Sequence, residues 1–107
     1  MKAEPQLTLD ADGHLANLAD WSPAAASALA AAAGIELTEA HWEIVTLVRQ
    51  FHQQHGLSPV MRVLVKLAQR ELGSTKGNSH YLLGLFPDSP ARVVARIAGL
   101  PRPTNCL

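Results

Sequence analysis

A chain of 107 residues with 48% hydrophobic side chains is long enough to bury one modest core. Nine basic residues balance nine acidic ones, so the chain lacks the positive field with which proteins grip nucleic-acid phosphates, and direct tight binding to nucleic acid is disfavoured. One cysteine cannot form an intramolecular bridge, which excludes a disulfide-stapled secreted scaffold and makes a reducing compartment the expected home.

Met1 to Asp10 carries Lys2, Glu4, Pro5 and Asp10 and no apolar run of secretory-signal length, and no stretch approaches a membrane span. A cytoplasmic protein without membrane contact is expected. From Gln6 to Leu15 the apolar residues Leu7, Leu9 and Leu15 flank Asp10-Ala11-Asp12-Gly13, whose Asp-Gly pair suits a tight turn, and a small β-hairpin is predicted.

The remainder is punctuated as helices. Ser22-Pro23 pairs a capping residue with proline at the first helical position, opening an alanine-rich helix that runs to about Ala33 before Gly34. Thr38 caps a second helix, with Trp42, Val45, Leu47, Val48 and Phe51 at helical spacing, which His55-Gly56 stops; this is the expected central helix. Ser58-Pro59 repeats the cap-and-proline device and predicts a third helix to Leu72-Gly73, with Val60, Val63, Leu64, Leu67 and Ala68 as its apolar stripe. A polar loop, Ser74 to Asn78, precedes a short helix from about Ser79 to Leu85, and Ser89-Pro90 begins a last helix ending at Gly99. The fold class is mainly α: one domain over 1–107, an orthogonal bundle of about five helices with an N-terminal hairpin. Over 100–107, Pro101 and Pro103 disfavour helix and predict an extended arm.

Cys106 sits near the tip of that arm. Free cysteines are usually small buried hydrophobes, but a thiol on a proline-stiffened terminal segment is accessible to other molecules. A thiolate can take a sulfur from another protein, hold it as a persulfide and yield it in a second exchange. Nearby cations enlarge the thiolate population from a reference pKa of about 8.5. Arg92, Arg96 and Arg102 are local candidates, and Arg62 with Lys66, one turn apart, form a candidate landing site on the third helix or else a solvated face. The carboxylate of Leu107 acts in the opposite sense.

Other constellations read as structural. His52 and His55 share a helical face without further ligands, so no metal or cofactor is expected. Asp10 and Asp12 are turn residues, Trp21 and Trp42 packing anchors, and His41 a structural histidine; His80-Tyr81 is left open. A regulatory helix-turn-helix over Glu39 to Leu72 is an alternative that balanced charge disfavours.

The tail Ile97-Ala98-Gly99-Leu100-Pro101-Arg102-Pro103-Thr104-Asn105-Cys106-Leu107 resembles the C-terminal arm of the TusE/DsrC family of sulfur carriers. Asp12-Gly13-His14-Leu15, Asp20-Trp21, Leu37-Thr38-Glu39-Ala40-His41-Trp42, Ser58-Pro59 with Arg62, and Leu85-Phe86-Pro87 support the resemblance over nearly the whole chain. It implies a carrier, rather than a stand-alone enzyme, that receives sulfur on Cys106 from a TusBCD-like donor complex. The implied acceptor is an MnmA-like tRNA thiolase, which makes 2-thiouridine at the wobble position and meets the tRNA itself. The DsrC branch that serves sulfite reductase is implied to carry a second cysteine eleven positions before the terminal one. Alanine occupies that position here, Ala95, which favours the TusE-like branch and leaves a DsrC-like partnership as the alternative.

Overall fold

The computed structural model describes residues 7–104. Its elements are a 3-10 turn, Leu18–Asp20, followed by α1 (Pro23–Ala32), α2 (Glu39–His55), α3 (Met61–Leu72), α4 (Ser79–Leu85) and α5 (Pro90–Ile97). Local chemistry explains most boundaries. Ser22 Oγ accepts the Ala25 N–H at 3.0 Å, and Asn78 Oδ1 accepts the Tyr81 N–H at 2.8 Å, each satisfying a donor that a helix start leaves open. Asn78 also donates through Nδ2 to the carbonyls of Ser74 and Thr75, both at 3.0 Å, which closes the polar loop onto the start of α4.

Two expectations are corrected. The predicted hairpin is absent among the described residues: Leu9 and Leu15 form one isolated antiparallel bridge and no strand follows from it. Asp10 explains the difference, because its Oδ1 accepts the N–H of Asp12 at 2.9 Å and of His14 at 3.0 Å, winding the segment into a side-chain-closed loop. His14 and Leu15 are then buried side by side, which a strand's alternation forbids. The third helix starts at Met61, two residues beyond the expected position, since Ser58 and Pro59 are buried in the loop before it and the Ser58 hydroxyl is engaged elsewhere.

The packing centre also moves. Instead of α2, the short α5 touches each of the other four helices. It buries Pro90, Ala91, Val94, Ala95 and Ile97, and packs against the alanine-rich α1, which has Ala25, Ala26, Leu29 and Ala30 inside. Small side chains let helix backbones approach closely, so a helix of only 8 residues can contact every neighbour. Phe86 is fully buried beneath it and meets the edge of His41 at 5.2 Å. His41 Nε2 donates to the Leu85 carbonyl at 2.9 Å, which places the proton on Nε2 and leaves Nδ1 to accept from Thr38 N–H and Oγ1, at 3.1 and 2.8 Å. The ring thus joins the start of α2 to the end of α4, a structural role.

Asp10 makes the N-terminal loop sensitive to acid. Its hydrogen bond from the His14 backbone, aided by the Asp12 N–H and the charges of His14 and Arg102, lowers its pKa below 3.8 in the folded protein. A lowered folded value adds stability that is fully present above the unfolded pKa and is lost as pH falls through the folded one. Urea titrations should therefore show Asp10→Asn less stable than wild type at neutral pH, with the difference shrinking below about pH 4. A difference unchanged down to pH 2 would assign the effect to the turn's shape rather than its charge.

Candidate functional site

The candidate site is the root of the C-terminal arm, where the chain leaves α5. Gly99 ends the helix at φ 71°, in the left-handed region. Its N–H donates to Arg96 O at 3.1 Å while the Leu100 N–H reaches back to Ala95 O at 2.9 Å, the paired bonds of a Schellman cap, with Leu100 buried as its apolar lock. Gly99 has a second reason to lack a side chain. A Cβ there would lie 2.3 Å from Cδ1 of Trp21, so the indole occupies that space.

Beyond the cap, distant side chains take the chain's carbonyls one after another. Trp21 Nε1 donates to Ile97 O at 2.9 Å, Arg49 Nη1 to Ala98 O at 2.5 Å, His14 Nδ1 to Leu100 O at 2.9 Å and Ser58 Oγ to Pro101 O at 2.5 Å. These donors come from the loop before α1, the middle of α2, the N-terminal loop and the α2–α3 connection. Arg49 also lies over the Trp21 ring, 3.8 Å from its centroid, a cation–π contact that locks two of the clamps together. Burial pushes the Arg49 guanidinium below its ordinary pKa, though such a group keeps its charge at any physiological pH. Pro103 is buried as well, whereas Pro101, Arg102 and Thr104 are exposed. Cys106 lies outside the described residues, two positions beyond Thr104.

The basic candidates divide into two groups. Arg96 and Arg102 line one cavity together with Arg92, Asp12 and His14. Arg62 and Lys66 are exposed on α3, and Lys66 lines a different cleft, with Phe51, His55 and Arg70. A groove of about 640 Å³ along α2 and the end of α3 shares no lining residue with the arm root. Among the described residues, no helix is long and apolar enough to cross a membrane, and no group of three or more His, Cys, Asp or Glu could hold a metal. Reading the sequence assigned Trp21 to packing and Ser58 to a helix cap, and left Arg49 unmentioned. A signal for Arg49 did exist: it shares a helical face with Val45 and Val48, where a lone guanidinium needs a buried acceptor.

The fold is a small helical scaffold that clamps the start of its C-terminal segment, and comparison with known proteins identifies its family. The chain belongs to the DsrC-like family, whose model, described as DsrC like protein, matches residues 2–107. It is 47% identical over 102 residues to Sulfurtransferase TusE of Sodalis glossinidius, covering 95% of this chain and 94% of that one. It is 51% identical over 98 residues to Sulfurtransferase TusE of Yersinia pseudotuberculosis, covering 92% and 91%. Among solved structures, the NMR structure of Allochromatium vinosum DsrC superposes with a TM-score of 0.86 at 44% identity, over 95% of this chain and 91% of that one. The oxidized gamma-subunit of the dissimilatory sulfite reductase (DsrC) from Archaeoglobus fulgidus gives 0.81 at 40% identity, over 94% and 92%.

The clamp should be measurable in stability. Arg49→Met keeps the aliphatic stem but leaves the Ala98 carbonyl without its donor, and should cost about 1–3 kcal/mol in urea unfolding. A loss within experimental error would mean that water replaces the guanidinium.

Proposed function

We propose that this protein is a sulfur-relay carrier in which Cys106 receives sulfur from an upstream donor and passes it to a tRNA thiolase. The observation that carries the reading is the clamped root of the tail: Trp21, Arg49, His14 and Ser58 hold the chain from Ile97 to Pro101, a few residues before the molecule's single thiol. Such a root gives a reactive group a defined point of departure while the reach beyond it is short, at most about 3.5 Å per residue. Relatives named Sulfurtransferase TusE at about half identity support sulfur as the cargo.

In the proposed chemistry the Cys106 thiolate attacks the outer sulfur of a persulfide on a TusBCD-like donor. The donor's S–S bond breaks, its cysteine leaves as a thiolate, and the transferred sulfur stays on Cys106 as a persulfide. A thiolate of an MnmA-like thiolase then attacks that outer sulfur and Cys106 departs as a thiolate, so the relay needs no outside oxidant or reductant. The thiolase uses the sulfur to build 2-thiouridine at the tRNA wobble position in the cytoplasm, and the carrier meets tRNA only through it. Arg96 and Arg102 at the root, with Arg62 and Lys66 on α3, supply positive charge to the thiolate. With alanine at position 95 the chain has no second cysteine to close a disulfide within itself.

Intact-mass spectrometry after incubation with a cysteine desulfurase, cysteine and the donor complex tests the carrier step. Wild type should gain about 32 Da, one sulfur atom, removable by dithiothreitol, and Cys106→Ser should gain nothing. Equal gain by the serine variant, or none in wild type facing a donor shown to be loaded, would overturn the reading.

A further inference from the structure

Beside the arm root lies a cavity whose own ligand the relay chemistry does not name. Arg92 and Arg96, one turn apart on α5, meet Arg102 of the following segment and Asp12 and His14 of the N-terminal loop around a cavity of about 140 Å³. Three guanidiniums face one carboxylate in this lining, and the pair between Arg102 Nη1 and Asp12 Oδ2 is long, 3.5 Å, with both side chains more than half exposed. The cavity is therefore electropositive.

Two of its lining residues carry buried nitrogens without hydrogen-bond partners, His14 Nε2 and Arg96 Nε. A buried polar atom left unpaired costs about 1–3 kcal/mol, and more when it is charged, so such atoms are uncommon, and Arg96 Nε, a donor, asks for an acceptor. Gly13 contributes to the arrangement. Its φ of +83° suits glycine, and Arg96 Nε lies 3.4 Å from where a Cβ would stand, so the guanidinium rests against bare backbone.

The state of His14 follows from its other nitrogen. Nδ1 faces the Leu100 carbonyl at 2.9 Å, and a carbonyl only accepts, so Nδ1 carries a proton. In the neutral ring Nε2 is then a bare acceptor, and it becomes a donor only on taking up a second proton. At only 1% exposure it has no bulk water to bond.

We propose that this cavity binds a small tetrahedral oxyanion of the sulfate and phosphate class, held by Arg96 Nε–H, with the guanidiniums of Arg92 and Arg102 closing the charge around it and His14 lining its wall. Guanidinium groups match such oxyanions in geometry as well as charge. The volume admits a free ion rather than a length of polynucleotide, and the site adjoins the carbonyl clamp, since one imidazole serves both.

Isothermal titration calorimetry of the full chain with sodium sulfate, at constant ionic strength in chloride, tests the site. Wild type should saturate with one ion per chain. Arg96→Met should weaken binding roughly tenfold or more. Arg62→Gln, the same loss of charge at a remote place, should bind as wild type does. Parallel titrations with phosphate, thiosulfate and a short RNA separate a free ion from a polymer. The proposal is overturned if sulfate shows no saturation, if Arg62→Gln and Arg96→Met weaken it equally, or if only the RNA binds in an Arg96-dependent way.

Discussion

A helix that ends inside a protein leaves its last carbonyls without intrahelical donors, and burying them unpaired is costly. At the end of α5 this requirement is met almost residue by residue. Arg96 O and Ala95 O are answered by the backbone of Gly99 and Leu100, Ile97 O by Trp21, Ala98 O by Arg49, Leu100 O by His14 and Pro101 O by Ser58. The side chains that answer them come from four separate places in the chain before α3. The end of α5 therefore ties the N-terminal loop, the entry to α1, the middle of α2 and the α2–α3 connection to one short stretch of backbone.

That constraint explains features that otherwise look unrelated. Gly99 must be glycine for its left-handed φ and also because Trp21 fills the space of its Cβ. Asp10 winds the N-terminal loop so that His14 reaches Leu100, which a flat hairpin would not do. α5 is short, alanine-lined and in contact with all other helices, so the point from which the tail departs is as rigid as the core itself.

Helix boundaries set by local chemistry were readable in the sequence. Ser22-Pro23 and the span Ser79–Leu85 stand where punctuation placed them, because a cap or a proline acts within one turn. Ser58-Pro59 misled for a physical reason: the same serine that caps a helix can donate to a carbonyl 43 residues away, and tertiary structure chose the latter. The hairpin reading failed similarly, since Asp10 has a side chain able to close the loop on itself. Arg49, Trp21 and His14 leave no periodic trace of their partners, as side-chain bonds to distant backbone depend on how the chain folds back and not on spacing. The cysteine was visible at once, being unique, while the cavity beneath its arm needed coordinates to bring Arg92, Arg96 and Arg102 around His14.

The central claim is that the arm root belongs to the rigid core, and native-state amide hydrogen exchange at Leu100 tests it most directly. Its N–H donates to Ala95 O inside the clamp, so it should exchange as slowly as the buried amides of α5 and share their free energy of opening. Exchange of Leu100 orders of magnitude faster than the Val94 and Ala95 amides would contradict the account, placing the edge of the rigid core at the end of the helix.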